Sequence, residues 1–158
     1  MSIQVGDKIP EHTFGIMGED GPTGISTSDI FDGKKVVLFA VPGAFTPGCS
    51  MTHLPGYVVH YDNIIAKGVD TVACMAVNDP FVMGAWGDAQ NAENLLMLAD
   101  GNAEFTDKIG LELDGSGFGL GKRSQRFAMI VDDGVVSLLN VDQGEIKVSA
   151  AEAILDAL

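Results

Sequence analysis

Lys35-Val36-Val37-Leu38-Phe39-Ala40-Val41-Pro42-Gly43-Ala44-Phe45-Thr46-Pro47-Gly48-Cys49 is the stretch on which the fold turns. Its first seven residues form a continuous β-prone run, apolar from Val36 on, that stops at Pro42-Gly43, the pattern of a strand buried on both faces of a sheet. A loop over residues 43–48 follows. Beyond it Leu54, Val58, Tyr61 and Ile65 recur at steps of three or four, a helical stripe over 49–66 interrupted by Pro55. Proline has no N–H and its ring clashes with the preceding turn, so a helix kinked or restarted near Pro55 is expected.

The same alternation continues outward from this core. Residues 69–77 are a second β-branched run, ending at Asn78-Asp79-Pro80, where Asn or Asp can cap a helix that opens at Pro80. Residues 95–99 and 104–111 give a short strand and a short helix. Residues 126–132 and 135–141 flank Asp133-Gly134, a hairpin signal. Ser149 is expected to cap a final helix over 150–158, rich in alanine. Strand and helix alternate up to the hairpin, which places the chain in the α/β class with a central mixed β-sheet flanked by helices, an order that a thioredoxin-like fold fits. With no repeat or linker, residues 1–158 read as a single domain.

Composition narrows the function. Hydrophobic residues make up 46% of the 158, against 20% charged, enough for a full core. A net charge of -13 repels nucleic-acid phosphates and anionic headgroups, so neither nucleic acid nor a membrane is an expected partner. The apolar run at 36–41 is far shorter than the ~20 residues of a spanning helix, and the amino terminus lacks the pattern of a secretory signal. A cytoplasmic protein is expected. Cys49 and Cys74 form no Cys-x-x-Cys motif, and three scattered histidines lack ligand spacing, so no metal site and a reducing compartment are expected.

The chemistry sits in the loop. Cys49 stands where a buried strand hands over to a helix, and unpaired N–H groups and the helix dipole there favour an anion. Such positions lower a thiol pKa from about 8.5 to roughly 3.5–7.5 and make the thiolate the working form. The competing reading is an inert, buried thiol, the usual fate of a lone cysteine. An inert thiol needs neither the Pro/Gly-rich entry nor the helix start, which favours the reactive reading. Gly48 clears the approach to the sulfur, Pro42 and Pro47 stiffen the loop, and Thr46 sets a hydroxyl three residues before the sulfur.

The segment from Val41 to Tyr57, with Pro42-x-x-x-Thr46-x-x-Cys49, resembles the active-site segment of peroxiredoxins, in particular the type II (atypical, peroxiredoxin-five-like) subfamily. Two further segments extend the likeness in order: Asn78-Asp79-Pro80-Phe81, and Arg123-Ser124-Gln125-Arg126-Phe127. The resemblance implies a thiol peroxidase that reduces hydrogen peroxide and alkyl hydroperoxides without metal or organic cofactor. It implies that Cys49 is the peroxidatic cysteine, that Thr46 and Arg126 are catalytic, and that Pro42 and Gly48 shape the substrate pocket. His53 becomes support for the loop behind them. Arg123 is the rival of Arg126; on one continuous strand the two would point to opposite faces, so only one could line the pocket.

Cys74 lies inside an apolar run and is expected to be core, although some members of the subfamily carry a possible resolving cysteine there. Residues 141–158 hold no cysteine, so a one-cysteine cycle is expected, with Cys49 sulfenic acid reduced by glutaredoxin and glutathione or by thioredoxin. A homodimer is expected from the family's habit. His60 reads as solvated and His12 as isolated. The glycine-rich stretch 115–122 fails as a phosphate loop, because Arg123 stands where Ser or Thr should follow Lys122. Two rival functions are a redox sensor or adaptor oxidised at Cys49 without turnover, and a cysteine hydrolase pairing Cys49 with His53. The second suffers from poor geometry for a nucleophile and its base.

Overall fold

Every side chain from Val36 to Ala40 is fully buried, and the sheet is organised around that strand. The computed structural model describes residues 2–158. In chain order the elements are β1 (Thr13–Gly18), β2 (Gly21–Ser26), α1 (Thr27–Phe31), β3 (Lys35–Ala40), a π-helical turn (Cys49–His53) and α2 (Leu54–Ala66). Then come β4 (Thr71–Ala76), α3 (Pro80–Ala89), β5 (Leu96–Ala99), α4 (Glu104–Ile109) and β6 (Glu112–Asp114). A 3-10 turn (Ser116–Phe118), β7 (Lys122–Ser124), β8 (Arg126–Asp132), β9 (Val135–Asp142) and α5 (Ala151–Ala157) complete the chain.

Among the described residues, seven strands pair in the order β2-β1-β5-β4-β3-β8-β9, with β6 and β7 as a separate ribbon. β3 runs parallel to β4 and antiparallel to β8, so the sheet is mixed. The alternation of β3 divides the core. Val37 and Phe39 pack with Tyr57 and Ile64 of α2, Trp86 of α3 and Ile154 of α5, whereas Val36 and Leu38 pack with Phe31 of α1 and Phe105 of α4. Each large side chain so buried contributes roughly 1.5–3 kcal/mol.

Local signals acted as expected. Asp79 caps α3 by accepting from Val82 N–H at 2.8 Å, with Pro80 in the first turn. Asp133 and Gly134 take φ of 47° and 79°, the left-handed pair of a tight hairpin turn. The helix after Cys49 restarts at Leu54, with Pro55 in its first turn.

Two features depart from expectation. The β1–β2 hairpin was hidden because its glycines blur the two-residue alternation. Gly15 is there for contact: a Cβ on it would lie 2.7 Å from Pro80 Cγ. Ser149 does not cap α5. Ala150 occupies the cap position without a side-chain bond, and the Ser149 hydroxyl donates to Asp142 Oδ2 at 2.6 Å. The hydroxyl turns to the buried carboxylate, where its charge-assisted bond outweighs capping a helix end that water can solvate.

Candidate active site

Helical backbone begins at Pro47, and Cys49 lies in its first turn. Pro55 cannot donate to a carbonyl four residues back, and the first turn is wide: Leu54 N–H reaches the Cys49 carbonyl five residues behind. Ser50 N–H donates to the Thr46 carbonyl at 2.9 Å. On the other side Trp86 Nε1–H donates to Ser50 Oγ at 2.9 Å, so a buried indole holds the turn from below.

The sulfur of Cys49 accepts from Arg126 Nη2 at 3.2 Å. Arg126 Nη1 donates to His53 Nδ1 at 2.7 Å, and His53 Nε2 meets the Ser149 carbonyl at 3.0 Å. A carbonyl only accepts, so Nε2 carries the ring proton and Nδ1 offers a lone pair to the guanidinium. Tyr57 Oη donates to the same Ser149 carbonyl at 2.7 Å, and its ring stacks on Phe39 at 3.9 Å. Among the described residues no carboxylate forms an ion pair with Arg126, which leaves its charge to the sulfur.

Beside this cluster opens a groove of about 730 Å³, lined by Pro42, Gly48 and Arg126 together with Leu113 and Ile146. Glu112, Asp114 and Glu145 lie along it as well. Cys49 itself is fully buried and lies behind the groove's lining.

The structure thus brings together five of the residues singled out in the sequence: Cys49, Arg126, His53, Gly48 and Pro42. Thr46 is close by, but its hydroxyl donates to the Gly43 carbonyl at 2.7 Å and not to the sulfur. Arg123 and Arg126 are not on one strand; β7 ends at Ser124 and β8 begins at Arg126. Arg123 stays out of the groove and donates to the carbonyls of Leu120 and Pro42 at 3.0 and 3.4 Å. Cys74 is fully buried in β4, and both cysteines are free. Burial, reinforced by the Cys49 charge, pushes the Cys74 thiol well up. His60 is half-buried and meets Glu152 at 3.2 Å, while His12 packs edge-on to Phe14 at 4.7 Å. The glycine-rich stretch is the turn between β6 and β7. No group of three metal-ligating side chains occurs among the described residues. Tyr57, Ser149 and Asp142 were missed: Tyr57 reads as a core position of a helix, Ser149 serves through its backbone carbonyl, and Asp142 reads as a strand end.

Burial, with a smaller push from Arg126, lowers His53 to about 4. Between about 6.5 and 4 the unfolded chain therefore binds a proton that the folded one refuses, and stability falls as pH drops through that window. The expected loss from His53 is about 2–3 kcal/mol by pH 4.5. Urea unfolding midpoints at pH 7 and 4.5 check this, and His53→Leu should flatten the difference.

The Redoxin family model matches residues 4–155. Peroxiredoxin-2D of Arabidopsis thaliana is 48% identical over 99% of this chain and 98% of its own length. The chloroplastic peroxiredoxin-2E of the same plant is 47% identical over 99% of this chain and 70% of its own. Reduced Prx3 of Vibrio vulnificus, solved in complex with hydrogen peroxide, is 56% identical over 98% of each chain, with a TM-score of 0.95. With likeness in sequence and in backbone running nearly from end to end, this chain belongs to the peroxiredoxins of the Redoxin family.

Proposed function

We propose that Cys49 is the sulfur through which this thiol peroxidase reduces hydroperoxides, with Arg126 and Thr46 as its catalytic partners. The observation that carries the reading is the Arg126 N–H held 3.2 Å from Cys49 Sγ. A charge-assisted donor favours a thiolate over a neutral thiol. That thiolate attacks one peroxide oxygen, an S–O bond forms and the O–O bond breaks. The sulfur, oxidised by two electrons, becomes sulfenic acid, and the second oxygen leaves as hydroxide or alkoxide and takes up a proton. Arg126 and backbone N–H groups at Gly48 and Cys49 would hold that negative charge as it develops. Thr46, its proton committed to Gly43, accepts from the peroxide O–H and orients it.

Hydrogen peroxide needs no groove of 730 Å³. The apolar surfaces of Pro42, Leu113 and Ile146 support alkyl hydroperoxides as further substrates. For recycling we favour one cysteine: the sulfenic acid takes two outside thiols, returns as thiol and releases a disulfide and water. Glutaredoxin with glutathione, or thioredoxin, would supply them in a reducing cytoplasm. Burial of Cys74 supports this, and Cys74→Ser should leave turnover with glutathione and glutaredoxin within about twofold of wild type, since surface reductants do not need it. Complete loss of recycling in the folded variant would establish a two-cysteine cycle. A homodimer is part of the same reading, supported by Phe45, Met51 and Phe118, large apolar side chains left exposed. Light scattering reads that directly.

The deciding experiment is peroxide consumption with each reductant in turn. Many turnovers per chain are expected; one oxidation per chain, with no recycling by any of them, would instead make Cys49 a sensor.

A further inference from the structure

The groove wall and the support of the arginine are two sides of one loop, closed by a single carboxylate. Asp142, the last residue of β9, is buried. It accepts from the N–H groups of Lys147 at 2.9 Å, Val148 at 3.1 Å and Ser149 at 2.9 Å, and from Ser149 Oγ at 2.6 Å. These bonds fold the chain back on itself. One side of the loop, Gln143 to Ile146, walls the groove; the other ends at Ser149, whose carbonyl faces inward.

That carbonyl decides which nitrogen of His53 holds the proton. With Nε2–H committed to Ser149, Nδ1 is left as an acceptor, and Arg126 Nη1 fills it at 2.7 Å. The opposite tautomer would aim an N–H at the guanidinium and push it off the sulfur. We propose that Asp142 is a positioning residue of the peroxidase reaction: by clamping Ser149 it fixes the His53 tautomer, and through His53 it aims Arg126 at Cys49. The proposal rests on the peroxidase reading and adds to it a residue that borders the groove but makes no hydrogen bond to the sulfur, acting through Ser149 and His53. Burial alone opposes the charge on Asp142, yet its four donors prevail and hold the carboxyl at about 2, so the clamp is ionised throughout the working range. The groups facing His53 are Arg126 from β8, Tyr57 from α2, Cys49 from its own turn and, behind Ser149, Asp142 from β9.

A loop staple with no catalytic consequence would look similar in a static view, and a double-mutant cycle separates the two. The rate constant for oxidation of Cys49 by hydrogen peroxide is measured for the full chain, for Asp142→Asn, for His53→Leu and for the pair combined. Each single change should lower it about tenfold, and the double no further than the worse single, because both break one chain of contacts. Ring-nitrogen magnetic resonance should show His53 protonated on Nε2 in the wild type and as a tautomer mixture in Asp142→Asn. A folded Asp142→Asn with an unchanged rate constant, or losses that multiply in the double variant, overturns the proposal. If Asp142→Asn does not fold, Ser149→Ala removes only the hydroxyl bond and should cost about threefold, an effect absent when His53 is already Leu. An unchanged rate there overturns it too. A wild type that consumes no peroxide sinks the peroxidase reading itself, while the tautomer spectra still decide whether Asp142 sets His53.

Discussion

Cys49→Ser should abolish peroxide reduction, lowering it by at least about a thousandfold, as loss of a nucleophile does elsewhere. On the proposed reading the nucleophile is a thiolate, and an alcohol is far less acidic and less nucleophilic than a thiol. The fold should survive. Serine is slightly smaller than cysteine, and its buried hydroxyl would inherit the Arg126 donor that now reaches the sulfur at 3.2 Å. Peroxide consumption measured alongside circular dichroism checks both halves. Residual turnover above a tenth of wild type, in folded protein, moves the chemistry to another residue.

Arg126→Gln should cost about 100-fold to 1000-fold in the oxidation step, the range seen when a donor to developing negative charge is removed. Two contacts vanish together: the charged donor to Cys49 Sγ and the donor to His53 Nδ1. Arg126→Lys is not a mild change, because a single ammonium cannot reproduce a planar fork that serves sulfur and imidazole at once. It should recover only part of the rate. Stopped-flow traces separate the half-reactions: oxidation by peroxide should slow, while reduction of preformed sulfenic acid by added thiol should stay close to wild type. Equal slowing of both would make Arg126 a general support for the loop and not a partner of the leaving oxygen.

Much of the scaffold was legible because local and global signals agreed. The run from Lys35 stops at a Pro-Gly, Asp79-Pro80 opens a helix, and Asp133-Gly134 turns a hairpin; each is strong within a few residues. The loop proposed to be peroxidatic stands out for a similar reason, since a proline, a threonine and a cysteine at fixed spacing lie within eight positions. What escaped depends on partners distant in sequence. Gly15 is glycine because Pro80 packs on it, which no pattern near residue 15 reveals. Ser149 looks like a helix cap until Asp142 claims its hydroxyl. Arg123 and Arg126 looked like opposite faces of one strand, but a break at Gln125 places them on two. The role of His53 is set by a carbonyl 96 residues away. Polar networks of this kind are written in three dimensions, and only their end points, a histidine and an arginine, carry a recognisable mark in sequence.

Trapping the oxidised sulfur puts the central claim to its most direct trial. The reduced chain is given one equivalent of hydrogen peroxide in the presence of dimedone, which captures sulfenic acid, and the adduct is located by peptide mass spectrometry. A single adduct per chain, on the peptide that holds Cys49, with the peroxide consumed, is the expected result. An adduct on Cys74, or unconsumed peroxide with Cys49 still reduced, contradicts it.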